Sequence, residues 1–314
     1  MSTASSPDLP GQTAPRPTRN IASHAALASV GVACVLLVLK AGAAWKTGSV
    51  AMLGSLADTA LDLLASLVTL YGIHIAAQPA DNEHRFGHGK AEALAALFQV
   101  SLIVVSAIGI GIRAVERFSA PVAPSSPEYG IGVSVVAIVL TLALVAFQQR
   151  IVKRTGSIAI ATDSLHYQSD LFLNLSVIAA LVLDHWLGTS GIDPLFGLAI
   201  ALWLAFGAWR AANTAIDQLM DREWPEDKRQ RFLAVAAQHP ELRGIHDLRT
   251  RTSGMHDFVQ FHVWVDPQMS VEDAHRVMDE VEARLMEEFP GTEVLIHPDP
   301  EGHVDVHAQR RRGQ

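Results

Sequence analysis

Six apolar segments, near residues 22–46, 49–77, 90–118, 128–148, 157–187 and 192–213, dominate the sequence. Each is long enough to cross a hydrocarbon core of roughly 30 Å as a helix. Composition points the same way. With 49% hydrophobic and 18% charged residues and a mean hydropathy of +0.23, a chain of 314 residues is too apolar for an ordinary soluble two-domain protein. The stretch after Arg19 is too long for the apolar part of a signal peptide, and no small-residue cleavage site ends it, so it reads as a retained first span. Residues 1–20, rich in Ser, Thr and Pro, cannot bury enough apolar surface to order themselves and are expected to be a disordered tail. Arg85, Lys90, Arg150, Lys153 and Arg154 lie around 78–90 and 149–156, whereas 119–127 and 188–193 hold no Lys or Arg. The positive-inside rule then puts both termini in the cytoplasm, although Arg113 and Arg117 at the far end of the third span run against it.

The spans occupy residues 21–214, after which the composition changes abruptly. Asp221, Arg222, Glu223, Glu226, Asp227, Lys228, Arg229 and Arg231 arrive within a dozen residues and open a soluble domain over 215–300. Pro225 followed by Phe232, Leu233, Val235 and Ala236 predicts a helix that ends before Pro240. Residues 244–252 and 256–266 read as strands. In the second, Val259, Phe261, Val263 and Val265 take one face, and Phe258, Gln260, His262 and Trp264 the other. Ser270 and Asp273 form a capping box for a second helix with Val271, Ala274, Met278, Val281 and Leu285 at helical spacing, stopped by Pro290 and Gly291. A strand over Thr292–His297 completes an αββαβ order with both helices on one face of a small sheet. Residues 301–314 read as a second disordered tail.

Chemistry concentrates inside the spans. Asp58 and Asp62 in the second, and His166 and Asp170 in the fifth, are pairs four residues apart, each on one helix face. A carboxylate near the bilayer centre persists only when paired, hydrated or bound to a cation. Three carboxylates and one imidazole make a four-ligand set of the tetrahedral kind, whose mixed donors suit zinc better than magnesium or calcium. An empty site of this composition takes up protons, because crowded carboxylates in low dielectric favour the neutral form. Metal and proton then compete for one place, and alternating access turns competition into exchange. The bland alternative is a polar network that only holds helices together. Cys34, the single cysteine, has no mate for a disulfide and is expected to be core packing. A net charge of -8 without a basic stripe excludes nucleic acid as a partner.

The motifs LADTALD (56–62), LHYQSD (165–170) and QPADNEHRFGHGKAE (78–92), with HDLRTR (246–251) in the last domain, resemble the cation diffusion facilitator family, in its bacterial zinc and ferrous-iron efflux branch. The resemblance runs from about residue 22 to 299. It implies six transmembrane helices followed by a cytoplasmic ferredoxin-like domain, in a homodimer of the inner membrane. It further implies a transport site at Asp58, Asp62, His166 and Asp170, with His166 favouring zinc and leaving cadmium or ferrous iron as other cargoes. Asp81, His84 and His88 resemble a second, loop-borne metal site. His246, His262, His275, His297 and Asp299 match a regulatory binuclear site, and Lys90 with Asp221 an intersubunit charge interlock. Other classes lack their parts. No HExxH supports an intramembrane zinc protease and no GxxxxGK[ST] cradle supports an ATP-driven pump, so the reading is a transporter and not an enzyme. The competing non-transport reading is a membrane-anchored metal sensor working through the cytoplasmic histidines.

Overall fold

The computed structural model describes residues 16–47, 50–119, 128–187 and 192–302. They form two units, one over Pro17–Ile216 and one from Asp217 onward. The first consists of six helices: α1 Arg16–Thr47, α2 Val50–Ala76, α3 Ala91–Ser119, α4 Glu128–Thr155, α5 Ile158–Leu187 and α6 Ile192–Leu219. All-helical architecture is what a bilayer demands, since only a helix or a closed barrel satisfies its own backbone polar groups. Five of the helices contain spans long and apolar enough to cross a membrane: Ile21–Lys46, Leu53–Ala76, Ala91–Phe118, Val135–Thr155 and Pro194–Leu219. The remaining long helix, α5, carries Asp163, His166, Gln168 and Asp170 in its first half and packs against α4, α3 and α2.

Side chains sort as lipid requires. Val38, Val105 and Leu202 face outward, whereas Ala22, Ala25, Ala26, Ala95 and Ala159 are buried between helices. Small residues let helices approach where no water drives them together. At Gly72 a Cβ would stand 2.4 Å from the Ala95 Cβ, so α2 and α3 meet closer than any larger residue there would allow. Two expectations change. Cys34 is exposed on α1 rather than packed inside; apolarity alone does not tell a lipid-facing position from a core one. The first helix opens at Arg16, within the segment expected as tail, because Pro17 occupies a first helical turn, where its missing N–H costs no hydrogen bond. The rest of that tail, residues 1–15, and residues 303–314 lie outside the described residues.

The second unit has the order α7 Glu226–Ala236, β1 Gly244–Ser253, β2 His256–Val265, α8 Val271–Glu288 and β3 Thr292–Pro300. Its sheet runs β1-β2-β3, antiparallel in the first pair and parallel in the second. Phe232 and Ala236 of α7 and Val277, Met278, Val281 and Leu285 of α8 cover Val259, Phe261, Val263 and Val265 of β2, leaving His262 on the uncovered face. Ser270 caps α8, its side chain accepting from the Asp273 N–H. Val271, expected in the core, is 89% exposed, because it precedes the turn of α8 that reaches the sheet; Val277 takes the core position instead. β3 extends through Pro298 and Pro300 rather than ending at His297. A proline lacks a strand donor, but β3 pairs only with β2, and an edge tolerates the loss. The extension places Asp299 in the sheet, in register with Trp264.

Candidate metal sites

Helices α2 and α5 pack together and bring Asp62, His166 and Asp170 to one point, with ligand atoms all within 4.8 Å of one another. His166 Nε2 lies 2.8 Å from Asp62 Oδ1, and its Nδ1 is buried without a partner. Two carboxylates and a buried imidazole with ligand atoms this close fit a cation held between them. Asp58, one turn before Asp62, is exposed and stands outside the close group.

Flanking side chains hold α5 in place. Asp163, 0% exposed, accepts from Gln99 Nε2 of α3 at 2.8 Å and from Gln148 Nε2 of α4 at 2.7 Å. Those amides also donate to Thr69 of α2 and Ser29 of α1, both at 2.9 Å. Tyr167 shares a hydrogen bond of 2.8 Å with Ser66 of α2. A single carboxylate three residues before His166 thus ties five helices at one level. Sequence reading passed over it, although the spacing 163, 166, 170 on one face was a usable signal. Closer to the helix start, Ser157 donates to the buried Glu92 and accepts from the Ile160 N–H.

In the second unit the sheet register builds a row of imidazoles: His246 is opposite His262, and His262 opposite His297. Asp299 reaches all three, at 3.2 Å from His246, 2.9 Å from His262 and 3.3 Å from His297. His246, His262 and Asp299 form a close ligand group, and the Nδ1 of His246 is a buried orphan. A bulge between His246 and Arg249, with Asp247 at φ +49°, interrupts the alternation of β1 just after His246. Trp264 leans on His246, ring centres 4.7 Å apart. At Gly244 a Cβ would lie 2.6 Å from that indole, so the arrangement needs glycine there. Burial on its own pushes the Asp299 carboxyl up, yet the hydrogen bond from His262 and the charges of His262, His297 and His246 outweigh it and hold the group below the usual carboxylate range. His275 stands apart on α8, its side chain 78% exposed and its nearest charge Asp279 at 3.8 Å.

The connection after α2 is a loop. Asp81 accepts from the His84 N–H at 2.6 Å and the Glu83 N–H at 2.9 Å, and the backbone bond from His84 is the main reason its carboxyl is held below the usual range. His84 and His88 both lie 3.4 Å from Asp81, and the Nδ1 of His88 is again buried without a partner. Of the expected interlock residues, Asp221 pairs with Arg251 at 3.6 Å; Lys90 ends the loop in front of α3.

Two family models together cover nearly all of the described chain. The cation efflux transmembrane domain matches residues 26–220, and the cytoplasmic domain of cation efflux proteins matches residues 224–301. The chain belongs to the cation diffusion facilitator family. Among relatives within this family, the cation-efflux pump FieF of Cronobacter sakazakii is 43% identical over 280 residues, which cover 89% of this chain and 93% of the relative. FieF of Yersinia pestis is 43% identical over 276 residues, covering 88% and 92%. Solved structures align with the second unit: the zinc form of CzrB is 36% identical over 27% of this chain and 98% of that one, with a TM-score of 0.26. The metal-bound C-terminal domain of the CzcD transporter from Thermotoga maritima is 30% identical over 25% and 93%, with a TM-score of 0.25. Cation diffusion facilitators are multi-pass membrane transporters of metal cations rather than an enzyme class, and this chain is one of them.

Proposed function

We propose that this transporter exports zinc from the cytoplasm in exchange for protons, with cadmium and ferrous iron as weaker cargoes, through Asp58, Asp62, His166 and Asp170. The meeting of Asp62, His166 and Asp170 between α2 and α5 is the observation that carries the reading. The short contact between His166 Nε2 and Asp62 Oδ1 requires a proton between the two atoms. A metal bound to both takes that proton's place, which is the physical core of exchange. One imidazole among carboxylates selects a borderline ion such as zinc over harder ions. Asp58 completes the set from the next turn of α2 once the helices close on an ion.

His246, His262, His297 and Asp299 serve as a regulatory site, where bound metal strengthens a homodimer through the cytoplasmic domain. His275, turned outward on α8, contributes only by reaching the cluster of a second copy. Asp81, His84 and His88 capture ions weakly beside the membrane, and Lys90 and Asp221 serve as an intersubunit charge interlock. Both termini face the cytoplasm, and the membrane is the inner one. The test is flux in proteoliposomes carrying a zinc dye and a pH dye inside. Zinc entry accompanied by opposite proton movement, both lost in Asp62→Ala with the dimer intact, supports the reading. Undiminished zinc flux in Asp62→Ala removes the site assignment, and zinc flux without a pH change removes the exchange.

A further inference from the structure

Lys40 lies on α1 within the span Ile21–Lys46, where an ammonium is costly and ordinarily escapes by running its long side chain to the membrane surface. Here it is engaged on α2 instead. Its Nζ donates to Thr59 Oγ1 at 2.6 Å and to the Ser55 carbonyl at 3.4 Å. Thr59 is 1% exposed. It directly follows Asp58 and precedes Asp62 by three residues, so it shares a helix face with Asp62. Among the described residues Lys40 forms no ion pair, although acids stand on both sides of its anchor.

We propose that Lys40 is a fixed positive charge that loosens the grip of the membrane site on its cargo and so sets the rate of ion release. The proposal rests on the transport-site reading above. Three carboxylates and an imidazole in low dielectric hold a divalent ion strongly, whereas a transporter must fill and empty its site in every cycle. A ligand cannot be dropped without losing selectivity, but a like charge outside the coordination sphere weakens binding and leaves the donor set intact. The Thr59 hydroxyl and Ser55 carbonyl keep the ammonium near the acids without letting it neutralise any of them. For a divalent ion about 10 Å from a unit charge, Coulomb's law at an effective dielectric near 20 to 40 corresponds to on the order of tenfold to a hundredfold in affinity.

Zinc flux of the full chain in proteoliposomes provides the test. Lys40→Gln is expected to lower KM for zinc on the order of tenfold and to lower kcat as release slows, while Lys40→Arg stays near the unsubstituted protein. Packing damage raises KM or abolishes flux, so a joint fall in KM and kcat separates charge from structure. An unchanged or raised KM in folded Lys40→Gln overturns the proposal. Should that variant fail to fold, Lys40→Cys in a Cys34→Ser background is capped through its sulfur with either a neutral methylthio or a cationic aminoethylthio group. Lower KM with the neutral cap than with the cationic one supports the proposal; equal values overturn it. Asp62→Ala run in parallel keeps the two readings apart. Its retention of flux defeats the transport site itself, whereas its silence together with equal KM for the two caps defeats only the role of Lys40.

Discussion

The membrane group and the cytoplasmic group use the same donors, imidazole and carboxylate, on opposite kinds of scaffold. His246, His262, His297 and Asp299 come from three hydrogen-bonded strands, and the register sets their spacing before any ion arrives. Asp62, His166 and Asp170 come from two helices joined by packing and side-chain hydrogen bonds, with no backbone ladder between them, and packed helices shift by sliding and rotation. A sheet is suited to holding an ion, a helix pair to passing one on. Surroundings reinforce the contrast: the cytoplasmic imidazoles border solvent, whereas the membrane site stands one turn from a carboxylate with no exposure at all.

Breaking one group at a time tests that contrast most strongly. Asp170→Ala is expected to lower zinc flux roughly a hundredfold or more, beyond the effect usual for a supporting residue. It should leave zinc binding at the cytoplasmic cluster unchanged by calorimetry. Asp299→Ala reverses the pattern, losing cytoplasmic binding while flux at saturating zinc falls only severalfold. Equal loss of flux in both would erase the distinction.

Next in size is the cost of the polar knot around Asp163. Removing its carboxylate leaves one N–H of each of the Gln99 and Gln148 amides, which keep Thr69 and Ser29, without an acceptor among buried side chains, and Asp163→Ala should destabilise the helical unit by about 2–4 kcal/mol. Thermal unfolding of the detergent-solubilised protein would show a lowered first transition and an unchanged one for the soluble unit. A smaller change is expected from His166→Asp, which replaces the borderline donor by a hard one. Competition flux should shift about tenfold from zinc toward manganese. The smallest effect is acid sensitivity of the sheet. Because the Asp299 carboxyl is held below its ordinary value, it contributes stability above the normal carboxylate range, and that contribution disappears as pH falls through the lowered pKa, below about 4. Unfolding of Asp299→Asn, followed by tryptophan fluorescence, should therefore lack this part of the acid limb.

Much of the architecture was legible because apolar length and strand alternation are one-dimensional signals. The six helices, the αββαβ order and the outward face of His262 follow from them. Orientation around a helix is harder to read: Cys34 was placed inside by its apolar run and Val271 by helical spacing, and only the packed partners show that they face outward. The two spacing-four pairs announced Asp62, His166 and Asp170. Asp163 and Lys40 escaped notice because their partners, Gln99, Gln148 and Thr59, lie on other helices at unrelated sequence distances. Pro298 and Pro300 hid the end of β3, since an edge strand forgives what a central one does not. The separation of His275 from its expected companions was equally invisible, because nothing in the spacing of α8 tells which chain that face serves.

Locating the ion tests the central claim most directly. Diffraction from zinc-soaked crystals of the full chain, recorded at the zinc edge, should give an anomalous peak enclosed by Asp62, His166 and Asp170, and that peak should vanish in Asp62→Ala while the peak beside Asp299 persists. Anomalous signal confined to the loop and the sheet, with none between α2 and α5, would contradict the account.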